Sequence, residues 1–313
     1  MTADLTPTDR PTGRAEWATT RPADTGGRHR RNSSMSGGVT SSRRAPAERL
    51  ADRLGPRDLA VLASLNEFRL LSGSQLRRLH CPGGEISTQA RKTRAIMRRL
   101  TELGVVARAE RGVGGIRSGS EGYVFGLSGL GHAVLDRDQP GARRHRSAIE
   151  SKSTFTAHIL ACSELMCQLV EHSRAGGCTI EELRAEPGCW RWFSSQSGGR
   201  RPLKPDAYVR LTVDDFDLAA FIEIDLATES LPTIASKCAV YLDYWRSGAE
   251  QRVAGFFPRV WWLVPHPDRA GAISRTIQRL APAEQRLFAV ALIEDAVAAL
   301  TTTPHTDTKG GAQ

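Results

Sequence analysis

Two short acidic motifs stand out as residues that could do chemistry together: Lys204-Pro205-Asp206 and Glu223-Ile224-Asp225. Residues 207–213 alternate apolar and polar, Asp214-Asp215-Phe216-Asp217 reads as a turn, and residues 218–225 alternate back, which predicts a β-hairpin. Asp206 falls where the first strand begins. Glu223 and Asp225 are two apart on the second strand and project from one face. A turn near Asp215 brings Asp206 beside them. Three carboxylates that close repel one another unless a cation or a shared proton compensates. Oxygen donors on a rigid hairpin suit Mg²⁺ or Mn²⁺. Such an ion beside DNA would activate water and offset the charge that develops on phosphate. Asp206, Glu223 and Asp225 are therefore the candidate catalytic and metal-ligating residues. Mg²⁺ or Mn²⁺ is the expected cofactor if the centre is active, and none otherwise. The alternative is an edge hairpin that carries acids for solubility, which is the expected role of Asp214, Asp215 and Asp217 at the turn.

These acids need a scaffold, and the second half of the chain supplies one. A helix with Phe155, Ile159, Cys162, Leu165, Met166 and Leu169 on one face ends at Gly176-Gly177. Strands are expected at 179–183 and 190–193, then the hairpin, a helix over 232–245, a buried strand at 260–264, a helix over 273–280 and a last strand at 287–292. This order describes a mixed sheet covered by helices, in a unit spanning residues 151–301. Glu164 is a further acidic candidate. His158 reads as a structural histidine on the helix face. Trp190, Trp192, Trp261 and Trp262 read as packing residues.

The first half has a different pattern. Three helices are expected, starting at Pro56, over 72–80 and over 87–103, followed by a strand at 105–107, a Gly-rich loop over 112–122 and a return strand at 123–125. This is the layout of a winged helix-turn-helix over residues 55–138. On the third helix Ile96, Leu100 and Leu103 share one face. Arg91, Arg94 and Arg98 lie opposite, flanked by Lys92 and Arg99, as a helix in a major groove requires. Arg111 and Arg117 sit in the expected wing loop. These seven residues are the candidate DNA contacts. The alternative is an amphipathic helix whose charged face is only wet.

Residues 1–47 read as a disordered basic tail, 139–150 as a linker and 302–313 as a second tail. Lys+Arg total 43 against 34 Asp+Glu, a net charge of +9 that suits a polyanionic partner. No window approaches the roughly 18 apolar residues of a membrane span, and the first thirty residues hold no apolar signal core. The expectation is a cytoplasmic protein without membrane partners. Its six cysteines show no C-x-x-C pair and read as small buried hydrophobes. No phosphate-binding G-x-x-x-x-G-K-[ST] loop is present.

Pro205-Asp206 followed by Glu223-x-Asp225, in a helix–hairpin–helix–strand order, resembles a variant of the PD-(D/E)XK nuclease core. The family's lysine, two residues after the glutamate, is Asp225 here. Lys237, on the following helix with Tyr241 and Tyr244, could take its place. The wider sequence of features resembles the bacterial replication-relaxation family: a winged helix, a helix near His158, Pro-Asp, the run Glu223 to Ser230, then Lys237-x-x-x-Tyr241. The resemblance implies a DNA-binding protein of a plasmid or integrated mobile element, acting in replication or DNA relaxation. Double-stranded DNA is the implied partner, together with a replication or mobilisation protein or a second copy of the chain. Two other readings stay open: a transcriptional regulator whose second unit dimerises or senses, and an adaptor that binds DNA only through residues 56–138.

Overall fold

The computed structural model describes residues 47–109, 123–137, 153–194 and 198–303. The expected linker, nearly all of both expected tails, and the loop with Arg111 and Arg117 lie outside the described residues.

A short helix α1 (47–51) leads to Gly55-Pro56, where proline presets the backbone for α2 (Pro56–Phe68). The buried Asp58 accepts the Gly55 N–H at 3.0 Å. Strand β1 (Leu70–Ser72) follows, and Ser72 and Gln75 cap each other's backbone at the start of α3 (Gly73–His80). Helix α4 (Ile86–Glu102) stops just before Gly104, whose φ of 73° is left-handed. Strands β2 (Val106–Ala109) and β3 (Val124–Leu127) run antiparallel, and β1 adds to β3. Ser128 then caps α5 (Gly129–Leu135). A Cβ on Gly131 would lie 2.1 Å from the Val105 carbonyl oxygen, so only glycine lets α5 lie this close to the chain entering β2. The α4 face differs slightly from the sequence expectation. Thr93, Met97 and Leu100 are buried, while Ile96 and Leu103 are half-buried.

The remaining elements are α6 (Ser153–Arg174), β4 (Thr179–Ala185), β5 (Arg191–Ser194), β6 (Arg200–Leu203), β7 (Ala207–Val213), β8 (Phe216–Ile224), α7 (Leu231–Ser247), α8 (Ala249–Ala254), β9 (Arg259–Val264), α9 (Pro267–Ile277), α10 (Pro282–Gln285), β10 (Phe288–Leu292) and α11 (Ala296–Leu300). Five strands form a mixed sheet in the order β10-β9-β8-β7-β4, antiparallel from β4 to β8 and parallel from β8 to β10. Strands β5 and β6 pair separately. The expected mixed α and β architecture is what the chain adopts.

Alternation along β7 and β8 sorts side chains between two cores. Ala207, Val209, Leu211, Ala220 and Ile222 pack with Met166 and Leu169 of α6, and this core continues to Leu62 and Leu65 of α2. Tyr208 and Phe221 point the other way, to Tyr241 and Tyr244 of α7 and to Trp262. One continuous apolar core thus joins the α2–α5 unit to the large sheet. Polar ties reinforce it: Ser163 donates to the Leu70 carbonyl at 2.8 Å, and Arg78 of α3 pairs with both Glu164 and Glu171 of α6 at 2.5 Å. All six cysteines are buried and free, as their composition suggested.

Candidate functional site

The site is built at one end of the β7–β8 hairpin, in the middle of the sheet. Ala207 pairs with Ile222, and the Asp206 N–H donates to the Ile222 carbonyl at 3.0 Å. This register sets Asp206 opposite Glu223. Asp206 is held further by the Ile224 N–H, which donates to Oδ2 at 2.8 Å, and by His158 Nε2, 3.0 Å from Oδ1. The hydrogen bond to Asp206, against the opposing effect of burial, holds the His158 imidazole above its ordinary pKa.

Glu223 is only 2 % exposed. Tyr241 donates to Oε1 at 2.6 Å and Lys237 to Oε2 at 3.0 Å. Lys237 and Tyr241 are four apart on α7, so one helical face serves both oxygens. Ser230 caps that helix and Pro232 occupies its first turn, which fixes where the face begins. Lys237 also reaches Glu229 Oε1 at 2.8 Å. Burial, and then the charge of Asp206, push the Glu223 carboxyl up to about 7 although Lys237 opposes the shift. Burial pulls the Lys237 ammonium down, but Glu223 and Glu229 outweigh it and hold it above its ordinary range.

Asp225 goes elsewhere. Beyond the end of β8 its Oδ2 accepts from Arg269 Nε of α9 at 2.5 Å, and its Oδ1 accepts the Glu229 N–H at 3.4 Å. The structure thus gathers Asp206, Glu223 and Lys237 and ties Asp225 to a cation of its own. Glu164 pairs with Arg78. Two partners had no sequence signal, Arg269 and the His158 contact to Asp206. His158 carries more than the expected helix-face role.

The other candidates are spread over α4. Arg91, Lys92, Arg94, Arg98 and Arg99 are all exposed. Arg99 is tied by an ion pair to the buried Asp58 of α2. A groove of about 530 Å³ lies between α4 and the β2–β3 hairpin, with Arg91, Arg94, Arg98 and Arg108 around Met97 and Phe125. Of the four tryptophans, Trp262 is fully buried while Trp190 and Trp261 pack against the cores. Trp192 departs from the packing expectation: it is 53 % exposed, with the Arg200 guanidinium 4.8 Å from its ring centroid.

A central hairpin thus brings an aspartate and a glutamate beside a lysine from the next helix, in helix–hairpin–helix–strand order. Residues 62–260 match the replication-relaxation family, and the chain belongs to that family. Among solved structures it is similar to the restriction endonuclease FokI, at 12% identity and a TM-score of 0.29 over 86% of this chain and 46% of that one. FokI bound to DNA gives 11% identity and 0.25 over 85% and 46%. The chain spans less than half the length of these two neighbours. No curated protein matches it. No helix among the described residues is long and apolar enough to cross a membrane.

Proposed function

We propose that the chain is a cytosolic DNA-binding protein of a plasmid or mobile element and acts in replication or DNA relaxation. In this reading a winged helix-turn-helix over residues 55–138 grips duplex DNA, and the unit over residues 151–301 presents a nicking centre to the backbone. The observation that carries the reading is the convergence of Asp206 and Glu223 with Lys237 at one end of the central hairpin. The exposed cations of α4 support the grip on DNA: Arg91, Lys92, Arg94 and Arg98 can meet phosphates or guanine edges.

The donor set fits Mg²⁺ or Mn²⁺ at Asp206 and Glu223. Both are carboxylates, and each oxygen has a lone pair beyond the one its present partner uses. Asp225 lies beyond the end of β8 and is paired with Arg269, so it is not placed in this donor set. A bound divalent ion would supply charge to the phosphate and activate water. The chain's own residues do the rest. Tyr241 and Lys237 orient Glu223, His158 and the Ile224 N–H orient Asp206, and the partly exposed Lys237 offers a cation to an incoming phosphate.

The test is incubation of the pure protein with supercoiled plasmid in Mg²⁺ or Mn²⁺, beside EDTA and an Asp206→Ala variant. Nicked or linear product lost in both controls establishes the centre. Intact plasmid with a salt-sensitive gel shift removes the nuclease part. One observation favours that second reading, a DNA-binding regulator or adaptor with a silent centre: Lys237, Arg269 and His158 each already satisfy one of the three carboxylates.

A further inference from the structure

His158 and Cys162 are four residues apart on α6, so both side chains leave one face of that helix. Asp206 meets them from the start of β7. One ligand atom from each, the imidazole nitrogen, the sulfur and a carboxylate oxygen, all lie within 4.8 Å of one another. Cys162 and Asp206 are buried and His158 is partly exposed, so two donors are fixed by packing and the third borders the way in.

The donors are one nitrogen, one sulfur and one oxygen. Mg²⁺ and Mn²⁺ are hard ions that favour oxygen, and a thiolate is a poor ligand for them. Zn²⁺ accepts all three donor types, and three protein ligands with a fourth position left to water is one of its regular arrangements. We propose that His158, Cys162 and Asp206 form a site for Zn²⁺ or a similar borderline transition-metal ion. On binding, the Cys162 thiol releases its proton to solvent and its sulfur bonds the metal. His158 Nε2 gives up to solvent the proton that it donates to Asp206, and then bonds the metal in place of that hydrogen bond. The site is distinct from the Asp206–Glu223 pair in donor chemistry, although Asp206 belongs to both, and it does not depend on whether that pair cuts DNA.

Co²⁺ reports on such a site optically, because a thiolate ligand gives it a strong near-ultraviolet charge-transfer absorption. The reduced, metal-free full-length chain is titrated with Co²⁺. The expected result is an absorption that saturates at a single ion per chain and bleaches when Zn²⁺ is added. Cys162→Ser removes it. His158→Ala, at a partly exposed position, weakens Co²⁺ binding by at least about tenfold, with far-ultraviolet circular dichroism to show that each variant folds. No absorption at saturating Co²⁺, an absorption that survives Cys162→Ser, or binding unaffected by His158→Ala each overturns the proposal. Plasmid cutting in Mg²⁺ is read separately, and its failure leaves this result standing.

Discussion

Lys237 Nζ lies 3.0 Å from Glu223 Oε2, although the two residues belong to different elements and are 14 positions apart. The cation beside the buried glutamate comes from α7, while the residue two places after Glu223 is an aspartate bound to Arg269. Lys237→Met removes the cation and leaves Glu223 with Tyr241. A loss of about 1–3 kcal/mol is expected from stranding a buried charged group. Urea denaturation above about pH 8 should show it in full, and near pH 5 it should shrink because Glu223 is then protonated in the fold.

Stability should also fall with rising pH because of Glu223 itself. Its pKa is raised in the fold, from 4.5 to about 7. Below about 4.5 the group is protonated in both states and contributes nothing. As pH rises from there, the unfolded chain loses the proton first and unfolding is favoured; above about 7 the penalty is complete. Glu223→Gln removes this slope, so the variant should gain about 3 kcal/mol relative to the native chain across that window. Parallel urea titrations at several pH values measure it.

The His158 shift is also upward, so the stabilisation it gives is full below its ordinary pKa of 6.5 and is lost as pH rises through the folded value. Asp206→Asn takes away the main cause. The His158 imidazole should then titrate at lower pH, as followed by its ring proton resonances. An unmoved resonance would mean that Asp206 does not hold the ring.

The cations of α4 should divide into two groups. Arg91→Ala, Arg94→Ala and Arg98→Ala should each weaken DNA binding and lower the slope of log K against log salt by about one, in fluorescence anisotropy. Arg99→Ala should act mainly on stability, by about 1 kcal/mol, because Arg99 is paired with Asp58. Equal effects on binding from all four would contradict this division.

The hairpin was legible because its strands alternate and its turn is rich in aspartate, but the turn is tighter than expected: Val213 pairs with Phe216, so only Asp214 and Asp215 turn, and Phe216 and Asp217 open the second strand. Lys237 and Tyr241 were legible as a pair because helical spacing puts positions four apart on one face. The partners that come from far along the chain were not. Arg269 lies 44 positions from Asp225, and Asp58 lies 41 from Arg99, so only the folded packing brings them together. Strand β1 escaped notice for another reason: three residues are too few to show a period, and it exists only because β3 offers an open edge. His158 looked structural because its helix face is otherwise apolar, and the aspartate that engages it comes from β7.

Arg78 is the hinge point of a simple experiment. It spans from α3 to Glu164 and Glu171, and Arg174 of α6 returns the contact by donating to the Arg78 and Leu79 carbonyls. Arg78→Ala should cost about 2 kcal/mol and broaden the single unfolding transition expected of a shared core.

That clamp would also set the geometry of the DNA binding proposed above. Packed side chains and paired charges hold the α2–α5 unit against the large sheet, which sets the distance from the α4 surface to the Asp206 end of the hairpin. If the α4 surface binds DNA and that end of the hairpin cuts it, as proposed, every break would fall at one offset from the bound sequence.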